Sequence, residues 1–313
     1  MKQLSERVRN GHAGSLARLI SLIENAEPQA VEVLETLEDR RGSAQIIGIT
    51  GPPGSGKSTL TNRLVGALRD RGETVGVLAV DPSSTFTGGA LLGDRTRMQS
   101  LATDPGVYIR SMGTRGSLGG LSRAVFDAIT AVEGSGKTHI LVETVGVGQS
   151  EIEVASIADT VLVLFVPGLG DDIQAIKAGI TEIGDIFVVN KADLKGASRI
   201  KTILENNLEL EPTNGDWKPP VMLVSAETGD GLAELVHKMD CHFRTLSESG
   251  RLHERRKRRH QGEVVAILQR CLADRIANFY DKQSEKKDVD VEKPRAVANA
   301  IWESLTDLED GGE

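Results

Sequence analysis

Ile46-Ile47-Gly48-Ile49 leads into Gly51-Pro-Pro-Gly-Ser-Gly-Lys-Ser58, and the residues behind it, Leu60 to Arg69, are helix formers. Gly51 to Ser58 fill every constrained position of G-x-x-x-x-G-K-[ST], in the strand, loop and helix context that a phosphate-binding P-loop requires. Backbone N–H groups of such a turn, and of the helix start after it, converge on phosphate oxygens; only residues without bulky side chains let the chain come that close. The pattern predicts that Lys57 reaches the β- and γ-phosphates of a nucleotide and that Ser58 places its hydroxyl on Mg2+. Gly51, Gly54, Ser55, Gly56 and Thr59 are the remaining expected contacts.

Outward from this loop, short apolar runs alternate with helical stretches from Gln45 to about Leu246: Ile46 to Ile49, Val75 to Val80, Val107 to Ile109, His139 to Val142, Thr160 to Val166, Ile186 to Val189 and Val221 to Val224. Such runs between helices predict an α/β fold, a P-loop NTPase with a mostly parallel central sheet covered on both faces. Ligands in that architecture sit at the carboxyl ends of the strands. Residues 1–44 carry apolar positions at helical spacing (Leu16, Leu19, Ile20, Ile23, then Val31, Leu34, Leu37) broken near Pro28, which reads as two short helices. Residues 247–313 read as further helices separated by the polar stretch Asp281 to Lys293. The expected organisation is an N-terminal helical extension (1–44), a nucleotide domain (45–246) and a C-terminal helical extension (247–313).

The chain of 313 residues is long enough for a sizeable core. A formal charge of -8 argues against nonspecific binding to nucleic acid or to an anionic membrane, both of which need a basic surface. The start, MKQLSERVRNGHAG, has no apolar core of a signal peptide, and no later apolar run approaches the length of a membrane span. A cytoplasmic location is expected. Cys241 and Cys271 lie far apart without metal-ligand spacing and read as buried small hydrophobes.

Base and metal sites fall where the sheet puts them. Asn190-Lys191-Ala192-Asp193 follows the run Ile186 to Val189, and in N-K-x-D the carboxylate accepts from guanine N1–H and the 2-amino group. Adenine presents neither donor there, so buried polar groups left unpaired reject it and GTP is favoured over ATP. Ser225-Ala226, after the next run, resembles the loop that meets guanine O6 through a backbone N–H. Mg2+ wants oxygen ligands. Asp81 and Glu143 end apolar runs where a Walker-B carboxylate belongs, and Asp94 is a third candidate. Lys57 and Glu143 are the expected catalytic residues.

Hydrolysis needs a group to orient water, yet the frame Glu143-Thr-Val-Gly146 is followed by Val147, which cannot hydrogen-bond. Gln149 stands two residues later and reads first as a polar surface residue. Slow intrinsic hydrolysis accelerated by a partner is the consequence. Arg95, Arg97, Arg110 and Arg115 are candidate charge stabilisers, with structural ion pairs the favoured role. The run Arg255-Arg-Lys-Arg-Arg259, set between Glu254 and Glu263 without aromatics, reads as a solvated or partner-facing helix. His237 and His242 have no ligand partners at useful spacing.

Longer blocks stand beside these motifs: Asp81-Pro-Ser-Ser with Thr87-Gly-Gly-Ala-Leu-Leu-Gly-Asp94-Arg-Thr-Arg-Met98, Arg110-Ser-Met-Gly-Thr-Arg115-Gly-Ser-Leu-Gly-Gly-Leu-Ser122, Glu143-Thr-Val-Gly-Val-Gly-Gln-Ser150 and Pro167-Gly-Leu-Gly-Asp-Asp172. Together they resemble the signature blocks of the MeaB/ArgK-type G proteins, the family of the methylmalonic aciduria type A protein, over roughly residues 5 to 280. The resemblance implies a GTPase that binds GTP, GDP and Mg2+ and gates adenosylcobalamin delivery to an acyl-CoA mutase, protecting or reactivating it. No segment resembles a mutase, so the mutase is a separate chain. A homodimer formed through the C-terminal extension is implied, with an adenosyltransferase as a further partner. Carried over, Lys57 and Ser58 contact phosphate and metal, Asp81, Asp94 and Glu143 lie on or near Mg2+, and Asn190, Lys191 and Asp193 hold guanine. Nucleotide-sensitive loops would fall near Asp81 to Arg97, Glu143 to Ala155 and Val166 to Lys177.

Two rival functions share the P-loop. A nickel- or cobalt-insertion metallochaperone GTPase would usually carry a Cys/His metal motif, which this chain lacks. A protein kinase of amino-acid transport proteins would need a base poised on an acceptor hydroxyl, and no residue identifies one.

Overall fold

The computed structural model describes residues 1–81, 101, 103–113, 123–144, 149–168, 180–210, 217–286 and 293–306. Seven strands form one sheet: β1 (Gln45–Thr50), β2 (Val75–Asp81), β3 (Val107–Gly113), β4 (His139–Thr144), β5 (Thr160–Phe165), β6 (Ile186–Val189) and β7 (Val221–Leu223). Their order is β3-β2-β4-β1-β5-β6-β7, and every pairing is parallel. All seven apolar runs in the sequence became strands. Parallel pairing needs a crossover between neighbours, so both faces are covered, and β1, β4, β5 and β6 are buried at every position. The strands share one carboxyl edge, and β1 lies at its centre with the P-loop directly after it.

Helix α4 (Lys57–Asp70) leaves the P-loop and buries Leu60, Leu64, Val65 and Leu68. These join Ile47, Ile49, Leu141 and Leu162 in one apolar cluster that also takes Leu235, Val236 and Met239 from a later helix, Leu232–Glu248. Glycine ends α4: Gly72, at φ 80°, donates to the Arg69 carbonyl while Glu73 N–H reaches the Leu68 carbonyl, the double bond of a left-handed helix stop. The opposite face carries α5 (Arg123–Gly134) and α6 (Gln149–Ile157). Gly48 of β1 lets α6 close in, since a Cβ there would stand 2.7 Å from a Val154 methyl.

Residues 1–44 pack on α5 as an outer layer. They hold three helices, α1 (Lys2–Arg9), α2 (Ala13–Glu24) and α3 (Pro28–Glu35), where the sequence reading expected two. The extra break is at Gly11, φ 73°, followed by His12, whose side chain accepts from Ser15 N–H and caps α2. Arg110 of β3 is bonded to the Glu24 carboxylate and, at 3.1 Å, to Ser21 Oγ, the structural ion pair expected of it.

Beyond β6 run α7 (Ala197–Leu210), α8 (Leu232–Glu248), α9 (Arg251–Lys286) and α10 (Pro294–Thr306). The chain divides into two compact units, Met1–His260 and Gln261–Glu313. In the first, the start of α9 corrects in part the reading of Arg255 to Arg259 as a solvated or partner-facing helix: Lys257 and Arg258 are exposed, while Arg255, Arg256 and Arg259 engage buried carboxylates. Arg255 grips Asp185 at 2.6 and 2.7 Å. Arg256 reaches Asp159 at 3.1 Å and the Ala44 carbonyl at 2.9 Å, and Arg259 stands 3.5 Å from Asp159. Both aspartates are buried at the amino ends of strands, where Asp159 accepts Ile46 N–H and Asp185 accepts Val161 N–H. The arginines therefore neutralise carboxylates that cap the sheet. Burial alone would raise the Asp185 pKa, but hydrogen bonds from His242 and Arg255 outweigh it and hold the group down at about 2. His242, itself buried, packs tilted against Trp217 and bonds Thr160, a core role.

The second unit contains the remainder of α9 and α10, with Val264, Val265, Leu268, Leu272, Tyr280 and Trp302 exposed. The cysteines are not core residues: Cys241 is partly exposed and Cys271 exposed. The buried stripe of α8 runs through Leu235, Met239, His242 and Leu246, which leaves position 241 off it.

Candidate nucleotide site

The P-loop conformation rests on glycines at left-handed angles. Gly51 has φ 143°, and a Cβ on it would stand 2.5 Å from the Leu164 carbonyl of β5. Gly56 has φ 84°, and a Cβ there would stand 2.5 Å from Asn190 Nδ2. No side chain fits either place. The space at Gly56 is what lets Asn190 cross the loop and donate from Nδ2 to the Ser55 carbonyl at 2.8 Å. Ser55 is fully buried, and among the described residues its hydroxyl finds no hydrogen-bond partner.

Lys57 opens α4 and curls back, donating from Nζ to the carbonyls of Gly51 at 2.8 Å and Pro52 at 3.0 Å. The ammonium is thereby held within the loop that encircles a phosphate in such folds. Ser58 Oγ donates to Glu143 Oε1 at 2.6 Å. Glu143 is buried near the end of β4, level with Ile49 on β1 and Ala79 on β2. A hydroxyl and a carboxylate oxygen this close form a hard, all-oxygen donor pair of the kind Mg2+ takes when phosphate oxygens and water complete its shell. Asp81 closes β2 on the same edge. Its side chain and all of Asp94 lie outside the described residues.

The base-side motifs converge on the same loop. Lys191, at φ 54°, donates from Nζ to the Gly54 carbonyl at 3.0 Å. Asn190 Oδ1 accepts the Ala226 N–H at 3.1 Å, so a single amide joins the P-loop to the segment after β7. Asp193 Oδ1 accepts Ser225 Oγ at 2.7 Å, and Ala192 N–H bonds the Val224 carbonyl. Asn190 and Lys191 thus meet Gly54, Ser55 and Gly56 of the P-loop, and Asp193, Ser225 and Ala226 are tied to the same cluster at one edge of the sheet.

Two further residues hold this arrangement. Thr61 Oγ1, fully buried one turn after Lys57, lies 2.9 Å from Glu143 Oε2 and 3.0 Å from the Lys57 carbonyl, so both carboxylate oxygens of Glu143 are fixed from α4. Arg63 donates from Nε to the Ala226 carbonyl at 2.9 Å and from Nη2 to the Glu227 carbonyl at 2.6 Å. The helical spacing Lys57, Ser58, Thr61 would have flagged Thr61 as sharing their face. No local signal marks Arg63. Gly146, Val147, Arg95, Arg97, Arg115 and the acidic pair Asp171 and Asp172 lie outside the described residues, as do the side chain of Gln149 and most of the three nucleotide-sensitive loops.

Residues 16–281 match the family described as methylmalonyl Co-A mutase-associated GTPase MeaB. A Pyrococcus horikoshii protein with a GTPase name is 47% identical over 310 residues, 97% of this chain and 98% of its own. The Mus musculus methylmalonic aciduria type A homolog, mitochondrial, is 38% identical over 309 residues, 93% of this chain and 74% of its own. A crystal structure described as LAO/AO transport system kinase superposes with a TM-score of 0.72 at 25% identity, covering 97% of each chain. With most of its length inside the match and its P-loop set at the carboxyl edge of a parallel sheet, the chain belongs to the MeaB family of P-loop GTPases.

Proposed function

We propose that this protein binds GTP with Mg2+, hydrolyses it slowly, and uses the cycle to gate adenosylcobalamin delivery to an acyl-CoA mutase carried on a separate chain. The observation that carries the reading is the bridge from Ser55 through Asn190 to Ala226, which sets a phosphate loop and a guanine-type motif in one site. Asp193 accepts the guanine N1–H and 2-amino group, and Ala226 N–H meets O6. Lys57 exchanges its two carbonyl partners for β- and γ-phosphate oxygens, where negative charge builds during transfer. Ser58 and Glu143 would hold Mg2+, joined by Asp81 and Asp94, and the bound ion neutralises phosphate charge. Glu143 enters that role with both oxygens fixed from α4, so little reorganisation is needed.

The partner side of the proposal takes its support from the family description, which names a methylmalonyl-CoA mutase association. Assembly as a homodimer through residues 247–313 is supported by the exposed Val264, Val265, Leu268 and Leu272 on α9. An adenosyltransferase as second partner and a cytoplasmic location belong to the same reading; among the described residues no helix is long and apolar enough to cross a membrane. The acidic loop Gly168 to Ile173 is proposed to pass nucleotide state to the mutase.

The test is GTP turnover with and without methylmalonyl-CoA mutase. Stimulation that disappears in Asp171→Ala and Asp172→Ala, with basal turnover kept, supports the proposal; a mutase that neither binds nor accelerates defeats it. A kinase reading draws support from the name of the superposed crystal structure. Label from γ-labelled GTP appearing on protein rather than as free phosphate would decide for it.

A further inference from the structure

We propose that Arg63 is a positioning residue for base specificity: by holding the carbonyls of Ala226 and Glu227 from helix α4, it sets the Ala226 N–H against the purine O6. This rests on the GTP reading above.

The segment after β7 is shaped by its own bonds. Ser225 N–H reaches the Asp230 carbonyl at 3.0 Å, Gly229 N–H reaches the Ser225 carbonyl at 2.8 Å, and Thr228 N–H reaches Ser225 Oγ at 3.3 Å. Ser225 Oγ ties it to Asp193. These bonds fix the form of the turn and its place beside the N-K-A-D segment. They do not fix its distance from the helix that carries the phosphate loop. Arg63 does, because Nε and Nη2 engage two successive carbonyls at 2.9 and 2.6 Å from a residue about 1.7 turns along α4 from Lys57. A planar guanidinium suits this bridge, since its donors are arranged as a fork; the point charge of a lysine cannot serve both carbonyls with the same geometry. With Ala226 clamped on its carboxyl side, its N–H donates to Asn190 Oδ1 at 3.1 Å, and a bound purine would take that donor through O6 in exchange for Asn190. The register between phosphate grip and base grip is thus set by Arg63 on α4 together with the Asn190 bridge to Ser55.

Base analogues separate this role from a general structural one. GTP and ITP both carry O6, while 2-aminopurine ribonucleoside triphosphate keeps the 2-amino group and lacks O6. Equilibrium binding to the full chain should show Arg63→Met weakening GTP and ITP by the same factor, about three- to tenfold, the worth of a partly exposed hydrogen-bonded anchor. The 2-aminopurine nucleotide should bind as to the parent protein, with Arg63→Lys intermediate. Asp193→Asn should penalise GTP more than ITP. An equal loss for all three nucleotides, or a lowered urea midpoint accounting for the change, would reduce Arg63 to a stabiliser of α4 and overturn the inference. Unchanged GTP and ITP binding in Arg63→Met, in a parent protein that prefers GTP to ATP, would overturn it while leaving the GTP reading intact. A parent protein that binds ATP as well as GTP would overturn both.

Discussion

Asp193 and Lys57 hold opposite ends of the proposed ligand, and each can be tried with a single atom-level change. Asp193→Asn exchanges an acceptor for an amide that turns donors toward guanine's own N1–H and 2-amino group. GTP affinity should fall by about 100-fold, within the range of a lost charged hydrogen-bond pair. Xanthosine triphosphate, which presents a carbonyl where guanine has the amino group, should bind the variant better than GTP does. Equal GTP affinity in both proteins would remove Asp193 from the base site. Lys57→Ala should lower turnover by about 100-fold or more and weaken GTP more than GDP, because the ammonium answers charge at the β/γ junction. A variant within about threefold of the parent would end that assignment. Most of these residues were legible because phosphate and base motifs are short, contiguous and fixed in spacing. Arg63 was not, because its partners lie 163–164 positions away and only folding brings them near; Thr61 shows only through its helical spacing from Lys57, its Glu143 partner lying 82 positions away.

At the scale of elements, α4 works on two faces. Lys57, Ser58 and Thr61 serve the site while Leu60, Leu64, Val65 and Leu68 are buried in the apolar cluster. Leu64→Ala leaves a hole in that cluster and should cost about 3 kcal/mol in urea unfolding, with GTP affinity of the folded protein little changed. A cost below about 1 kcal/mol would mean that the cluster closes over the gap. The strands were the most readable elements, since apolar runs of three to seven residues between turn signals have few other uses in a chain of this composition. The break between α1 and α2 was harder, because only Asn10, Gly11 and His12 separate two stretches of helical sequence. The arginine run at the start of α9 was misread for a physical reason. Its charge pattern is that of a solvated helix, which holds for Lys257 and Arg258, but Asp159 and Asp185, the carboxylates that engage Arg255, Arg256 and Arg259, carry no mark in sequence.

For the molecule as a whole, Asp185 makes stability depend on acid. The Asp185 pKa, held at about 2 against an ordinary 3.8, means that the unfolded chain takes up the proton first as pH falls. The stabilisation is complete above about pH 5 and is lost as pH drops through 3.8 toward 2, amounting to about 2 kcal/mol. The difference in unfolding free energy between the parent and Asp185→Asn should narrow by that amount across the window. A difference independent of pH would refute the assignment. Asp159 and Asp185 sit at the amino edge of the sheet, away from the nucleotide edge, and both wait for residues 251–260. Translation runs from amino to carboxyl terminus, so all seven strands leave the ribosome before the arginines that neutralise their caps. Until then two buried carboxylates lack their guanidinium partners, a deficit of about 3 kcal/mol or more. A nascent chain stalled after Glu248 should therefore be open to protease and chaperone, and closure of the nucleotide domain should await the first turns of α9.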